Sequence, residues 1–156
     1  MISVPVEQDG VQIHAISATT TIFTQEEVEV VDELWQEYLS QGSEGSGYYF
    51  LVEKEANLVL GYACFGPRSQ TSGTFDLYWI AVDSTARRGG VGRRLLAASE
   101  QAVRDLGGRL LVLETSGLPA YVPTCNFYLA TGYTLEATIR DFYSPGDDLI
   151  IFTKHL

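Results

Sequence analysis

The segment from residue 74 to residue 116 constrains the fold of this chain more than any other part of it. Its first run, TFDLYWIAV, is rich in aromatic and β-branched residues and predicts a strand from Thr74 to Val82. A glycine-rich turn follows, and apolar residues then recur at helical spacing from about Gly90 to Leu106, where two glycines end the helix. The next run, RLLVLET, is apolar almost throughout, as expected for a strand that is covered on both faces. A strand, a helix and a second strand in this order indicate a mixed sheet with helices on its faces.

Together with the remaining segments, this unit predicts an α/β protein whose sheet is mixed, as in α+β folds. Residues 11–16, VQIHAI, predict a short first strand, and Thr24 with Glu27 matches a capping box at the start of a helix. We expect this helix to end in QGSEGSG, which has the composition of a loop. The runs YYFLVEK and LVLGYACFG predict an antiparallel hairpin. A helix from about Tyr121 to Thr131 and two strands, YTLEATIRDF and DLIIFTKHL, complete the chain.

The composition argues against two classes of partner. Ten basic and twenty acidic side chains give the 156 residues a net charge of −10, which would repel the phosphate backbone of a nucleic acid. No run approaches the roughly 20 apolar residues of a membrane-spanning helix. The N-terminus lacks the features of a secretory signal, and two cysteines, Cys64 and Cys125, are too few for a disulfide framework. We therefore expect one cytoplasmic domain, residues 1–156, that binds neither nucleic acid nor membrane.

The turn between the strand and the helix, residues 83–94, concentrates positive charge in this acidic chain. Four of the ten basic residues lie within it, and they are Arg87, Arg88, Arg93 and Arg94. Glycines at positions 89, 90 and 92 let the backbone turn sharply and leave its amides uncovered. These amides and the partial positive charge of the first helical turn together predict an anion-binding site.

Two familiar phosphate loops do not fit this turn. A Walker loop needs a lysine and then Ser or Thr after its last glycine, whereas two arginines follow here. A dinucleotide fingerprint would need a glycine in place of Leu95. The pattern that does fit is Arg-x-x-Gly-x-Gly, formed by Arg87, Gly90 and Gly92 after a strand and before an apolar helix.

This pattern resembles the acetyl-CoA pyrophosphate loop of the GCN5-related N-acetyltransferase (GNAT) family. The resemblance extends over about residues 48–156 and includes a later segment, Asn126-Phe127-Tyr128-x-x-x-Gly132-Tyr133, which is similar to the Asn-Phe-Tyr helix and Gly-Phe turn of that family. It implies a central, mostly antiparallel mixed sheet that is splayed between its fourth and fifth strands, with helices on both faces. Acetyl-CoA is then the expected co-substrate, and no metal is expected.

The resemblance also implies which residues hold acetyl-CoA. Backbone groups of the strand before the loop would hold the pantetheine arm, the loop would hold the pyrophosphate, and an asparagine would help to position the cofactor. The residues concerned are Ile80, Ala81 and Val82 in the strand, Arg87, Arg88, Gly89, Gly90, Val91, Gly92 and Arg93 in the loop, and Asn126.

Two residues are the catalytic candidates. Tyr128 matches the family tyrosine that hydrogen-bonds the cofactor sulfur. Because a phenol has a pKa of about 10 and a thiol one of about 8.5, proton donation would be uphill by roughly 2 kcal/mol, so we assign Tyr128 to thiolate stabilisation first and to proton donation second. Asp76 lies four residues before Ile80, where some family members carry a glutamate base. Asp76 is therefore read as a general base, as an anchor for a cationic substrate or as a structural residue.

The acceptor is expected to be a primary amine of a small molecule, an amino acid or a peptide, attacking directly in a ternary complex. Tyr78, Glu114 and Tyr121 are placed at the border of its site by their positions on the strands and in the loop 116–124. Carboxylates in the turn 141–148 either face the amine or are solvated. The alternative function is a non-catalytic acetyl-CoA sensor or partner-binding subunit on the same fold. The resemblance leaves a homodimer open.

Overall fold

The computed structural model describes residues 1–20 and 22–156, and this part of the chain forms seven strands and four α-helices. Two short 3₁₀ turns, Glu7–Asp9 and Pro119–Tyr121, precede the first and the last helix. The elements in chain order are β1 (Ile2–Ser3), α1 (Gly10–Thr19), α2 (Gln25–Ser46), β2 (Tyr49–Glu55), β3 (Leu58–Pro67), β4 (Thr74–Val82), α3 (Val91–Asp105), β5 (Leu110–Ser116), α4 (Val122–Ala130), β6 (Thr134–Ser144) and β7 (Asp147–His155).

The seven strands form one sheet in the order β1-β2-β3-β4-β5-β7-β6. Every neighbouring pair is antiparallel except β4 and β5, which are parallel. These two strands pair only from Thr74 opposite Leu110 to Asp76 opposite Val112, and they separate beyond that point. The predicted mixed sheet, splayed between its fourth and fifth strands, is confirmed.

A β-bulge lies in β4 just after the last residue that pairs with β5. Cys64 of β3 is opposite Trp79, and the next residue of β3 is opposite Leu77, so Tyr78 is an extra residue in β4. A bulge bends its strand and redirects the side chains near it. Tyr78 and Trp79 consequently both pack on the same side of the sheet, against the buried side chains beneath α1 and α2.

Helices cover both faces of the sheet and produce two clusters of buried side chains. Alternation along β3 assigns Tyr62 and Cys64 to one cluster and Ala63 and Phe65 to the other. The first cluster takes its helical contribution from α1 and α2, and the second from α3 and α4. The main helical contributors are Ile13, Ile16, Val31 and Trp35 in the first and Leu96, Val103 and Tyr128 in the second.

The prediction of a strand at residues 11–16 is wrong, because this segment lies inside helix α1. Its apolar and polar residues alternate over a few positions, which is the period of a strand. The buried residues Ile13, Ile16 and Ser17 instead recur at the spacing of a helix. The Ser17 hydroxyl hydrogen-bonds the carbonyl of Ile13 and shares a 2.7 Å hydrogen bond with the Tyr62 hydroxyl, which joins α1 to the sheet.

Helix α2 starts as predicted and ends later than predicted. Its capping box is confirmed, since the amide of Glu27 donates to the Thr24 hydroxyl and the Thr24 amide donates to the Glu27 carboxylate. The segment QGSEGSG is not a loop but continues the helix to Ser46. The backbone breaks only at Gly42, which has φ 69° and ψ 178°. Within residues 1–20 and 22–156, none of the helices combines the length and apolar character that crossing a membrane requires.

Candidate active site

A cavity of about 1140 Å³ opens where β4 and β5 separate. Its walls include Tyr78 to Val82 and Glu114 to Ser116, where β4 and β5 keep their pairing with β3 and β7 but no longer pair with each other. The loop after β4 and the start of α3 form one end. Four further segments complete the lining, namely the residues before and within the first turn of α2, the 3₁₀ turn before α4, α4 itself and the turn between β6 and β7.

The loop after β4 has the backbone geometry of an anion site. Arg88 and Gly90 adopt positive φ angles of 69° and 76°, which turns successive amides towards one side. Asp83 holds the start of the loop by accepting hydrogen bonds from the amide and the hydroxyl of Thr85. These hydrogen bonds lower the pKa of Asp83.

The first turn of α3 supplies amides that have no partner within the helix. The first four N–H groups of any α-helix lack an intrahelical acceptor, and in α3 these include Val91, Gly92 and Arg93. A Cβ atom added at Gly92 would only touch Val82 and Phe127, at 3.5 and 3.6 Å, so the chain itself does not require glycine there. Free amides, the helix dipole and an uncovered backbone all fit the diphosphate of a coenzyme.

The four arginines of this loop divide into two groups. Arg87, Arg88 and Arg93 are exposed, line the cavity and form no ion pair with any described residue. Arg94 instead turns away to the sheet, where Nη2 lies 2.6 Å from the buried Glu53 carboxylate and Nη1 donates to the carbonyl of Gly89. Arg94 therefore ties the loop to β2, and the other three remain available to an anion.

Tyr128 lies on α4 with its ring packed among Phe127, Tyr133 and Phe152. It is 6% exposed and lines the cavity, and its hydroxyl forms no hydrogen bond with any residue that the structure describes. No fully buried side-chain oxygen of the described residues lacks a partner, so this hydroxyl reaches the cavity surface. Burial raises the pKa of Tyr128, which keeps the phenol protonated and able to donate.

Asp76 does not line the cavity. Both of its carboxylate oxygens accept hydrogen bonds from the Arg68 guanidinium, at 2.7 to 3.0 Å. The same guanidinium lies 3.5 Å from Glu114 of β5. Arg68 thus bridges β4 and β5 close to the point where they separate, and Asp76 is its main partner.

The three predicted acceptor residues, Tyr78, Glu114 and Tyr121, all line the cavity. Burial, with the charge of Asp76, raises the pKa of Tyr78 to about 12. The Tyr121 hydroxyl donates a 2.7 Å hydrogen bond to the carbonyl of Ile22, which joins the segment before α4 to the segment before α2.

Most of the predicted cofactor residues meet at the same cavity. Nine of the eleven are among its lining residues, from Ile80 to Val82, at Arg87 and Arg88 and from Gly90 to Arg93. Gly89 is not, and Asn126 is exposed on α4 outside the lining. The sequence did not point to Phe23, Glu26 and Glu27 as wall residues. The only signal there was the capping box, which predicts a helix start and not its place in the site.

Among the residues that the structure describes, no three His, Cys, Asp or Glu side chains come together in a way that could hold a metal ion. The gap between β4 and β5 instead joins an anion site to a buried tyrosine hydroxyl. That arrangement suits a thioester on a long arm with a diphosphate group, so fold and site together define an acyltransferase that uses a coenzyme A thioester.

A comparison with models of protein families identifies the family of acyltransferases to which the chain belongs. The model of the acetyltransferase (GNAT) family matches residues 12–133, which is most of the chain. The chain therefore belongs to the GNAT family of acetyltransferases, which use acetyl-CoA as their acetyl donor. No curated protein matches it in sequence.

Solved structures support the same assignment. A GNAT-family acetyltransferase from Desulfovibrio desulfuricans is 41% identical, with 99% of each chain covered and a TM-score of 0.94. A ribosomal-protein-alanine N-acetyltransferase from Brucella melitensis is 23% identical over 100% of this chain and 99% of its own, with a TM-score of 0.78. A Salmonella typhimurium acetyltransferase with acetyl-CoA is 20% identical over 100% and 93%, with a TM-score of 0.76. The last two likenesses concern the fold alone.

Proposed function

We propose that this protein transfers the acetyl group of acetyl-CoA to a primary amine of a small molecule, an amino acid or a peptide, in a ternary complex. One observation carries the proposal. One cavity is lined by the α3 loop with its free amides, by Tyr128, whose hydroxyl has no partner in the described chain, and by several carboxylates. Donor and acceptor can therefore be assigned to different parts of one cavity that also contains Tyr128.

The chain holds the donor through the first half of the cavity. The amides of Val91, Gly92 and Arg93 bind the diphosphate, with the exposed arginines of the loop adding positive charge. From Ile80 to Val82, the edge of β4 that faces β5 has no strand partner and lines the cavity, and we assign the pantetheine arm to this edge. An unpaired strand edge offers N–H and C=O groups that suit the amides of that arm.

Tyr128 stabilises the departing sulfur by hydrogen bonding. Acetyl-CoA supplies a thioester whose carbon–sulfur bond breaks as the amine nitrogen bonds to the same carbon. The sulfur leaves as the thiolate of coenzyme A, and the proton that the amine loses passes to water. Burial raises the pKa of Tyr128 further above that of a thiol, so transfer of its proton is unfavourable and donation of a hydrogen bond is favoured. A preoriented donor in a partly dry cavity stabilises the negative charge that develops on sulfur.

We give Asp76 a structural role in this proposal. A general base needs a free oxygen within hydrogen-bond reach of the amine, or of a water beside it. Both oxygens of Asp76 accept from Arg68, and Asp76 is outside the cavity lining.

All of the groups used here come from one chain, so the proposal requires no second copy. Two free cysteines, Cys64 and Cys125, fit a reducing compartment such as the cytoplasm.

Calorimetric titration with acetyl-CoA tests the donor half of this proposal. The Gly92→Ala variant should keep its fold, because the added methyl meets only ordinary contacts, and it should bind acetyl-CoA at least about tenfold more weakly because the methyl occupies the backbone approach. A control is Gly45→Ala on α2, far in sequence from the loop, where the added methyl meets Gln41 Cβ at 3.1 Å, so its fold is checked first by thermal unfolding. Unchanged affinity in the Gly92 variant would contradict the assignment of the diphosphate to this loop.

A further inference from the structure

The charges that line the cavity are sorted by sign. Its only cationic lining residues within the described chain are the three arginines of the α3 loop. Its carboxylates come from other elements, and they are Glu26 and Glu27 in the first turn of α2, Glu114 in β5 and Asp147 at the start of β7. The donor's diphosphate fits the arginines of the α3 loop, so the carboxylates are left for the acceptor.

Three of these carboxylates act electrostatically on two tyrosines of the same lining. Glu27 and Asp147 raise the pKa of both Tyr121 and Tyr143, after burial, and Glu114 acts on Tyr143 as well. Both tyrosines line the cavity, and so do Phe23 and Trp79. Aromatic faces and carboxylates together are the surroundings in which ammonium groups bind best, since each attracts a cation.

These carboxylates are held in place and yet keep one oxygen free. One oxygen of Glu27 accepts from the Thr24 amide at 2.7 Å, and one oxygen of Asp147 accepts from the Ser116 hydroxyl at 2.5 Å. One oxygen of Glu114 lies 3.5 Å from Arg68. The second oxygen of each has no donor in the described chain. A fixed carboxylate with a free oxygen loses little freedom when it binds a cation.

The reacting amine cannot itself neutralise the negative charge of these carboxylates. It must be neutral to attack, so it carries no positive charge at that moment, and nearby carboxylates would hold it protonated. A second ammonium on the same molecule can stay charged against the carboxylates, and its repulsion lowers the pKa of the reacting amine. The hydroxyl of Tyr128, which has no partner in the described chain and reaches the surface of the same cavity, marks where the reacting end must lie.

We propose that the acceptor is a small amine with at least two positive charges, a diamine or a longer polyamine, whose second ammonium binds between Glu27, Glu114 and Asp147. This inference rests on the proposed function, because it names the acceptor of the same reaction. Tyr121 and Tyr143 supply the aromatic faces around that ammonium, and Ser116 fixes the Asp147 carboxylate.

A matched pair of amines tests the proposal. Butylamine and putrescine have the same carbon chain and differ by one ammonium group, and release of free thiol from acetyl-CoA gives kcat/KM for each. We expect putrescine to be favoured about tenfold or more at low salt, which is the effect of a few partly exposed ion pairs, and the preference to shrink at about 0.5 M salt. Equal values for the two amines, or turnover of a lysine peptide with putrescine ignored, would overturn the proposal and leave acetyl transfer standing.

Variants and a binding measurement separate this inference from the reaction itself. Asp147→Asn and Glu114→Gln should each lower kcat/KM for putrescine more than for butylamine, whereas Glu33→Gln removes an exposed charge of α2 outside the lining and should change neither. Calorimetry of putrescine with the coenzyme A complex should show binding that weakens in the Asp147 and Glu114 variants. Unaltered putrescine binding in both variants would refute the assigned ammonium site, while binding without thiol release would refute only acetyl transfer.

Discussion

Replacing Tyr128 with phenylalanine should make the protein a poorer enzyme and no less stable. The hydroxyl has no partner in the described chain, and the residue is 6% exposed. A buried hydroxyl without a hydrogen bond costs about 1–3 kcal/mol, but this one reaches the cavity surface and keeps some contact with solvent. We therefore expect the Tyr128→Phe variant to gain between zero and about 1 kcal/mol, or up to about 4 °C in Tm for a chain of this size.

The kinetic loss follows from the same hydroxyl. A hydrogen bond to a charged group contributes about 1.5–3 kcal/mol, and this one is made only when charge develops on sulfur. Its removal should lower kcat by roughly 10- to 150-fold while the affinity for acetyl-CoA changes by less than about threefold.

Thermal unfolding, calorimetry with acetyl-CoA and thiol release measure the three quantities. Tyr133→Phe is the matched control, since the Tyr133 hydroxyl donates to Glu100 in the core, where it lies outside the cavity lining. That control should lower Tm and leave kcat nearly unchanged, the reverse of Tyr128→Phe. A Tyr128→Phe protein with unaltered kcat, or with Tm lowered by several degrees, would refute this assignment of the hydroxyl.

Three further results are expected from the contacts around the cavity. Glu53→Gln releases Arg94, which also hydrogen-bonds the Gly89 carbonyl, so the affinity for acetyl-CoA should fall several-fold with little change in kcat. Equal affinity by calorimetry would show that the loop does not depend on the Arg94–Glu53 ion pair. Asp76→Asn weakens the pair with Arg68, and we expect about 1 kcal/mol less stability with kcat within about threefold, whereas a fall of about 100-fold or more would restore Asp76 as a base. The pKa of Asp83 lies below its ordinary value of 3.8 in the fold, so its contribution is complete above that value and is lost as the pH falls through the lowered pKa. Unfolding curves at acid pH should show this loss in the parent and not in Asp83→Asn.

The part of the cavity that we propose for the donor was predictable because its signals are local. The strand from Thr74 to Val82, the loop and the start of α3 lie next to each other in sequence, and each has its own spacing of apolar residues or glycines. The separation of β4 from β5 was predicted from the family resemblance. Sequence spacing alone did not separate Arg94 from the other three arginines, because its partner Glu53 lies 41 positions away.

The part of the cavity that we propose for the acceptor was only partly predictable because contacts between distant segments form it. Tyr121 meets the carbonyl of Ile22 across 99 positions, and no pattern around either residue announces that contact. Asp76 was singled out by its place on β4, but strand spacing does not tell which neighbour takes a carboxylate. In the fold Arg68 does so across the hairpin.

The most direct test of this account is release of free thiol when the purified protein, acetyl-CoA and amines of increasing charge are mixed. We expect release that depends on the amine, is faster for putrescine than for butylamine, and falls in Tyr128→Phe. Binding of acetyl-CoA without amine-dependent release would contradict the enzyme and favour an acetyl-CoA sensor on the same fold.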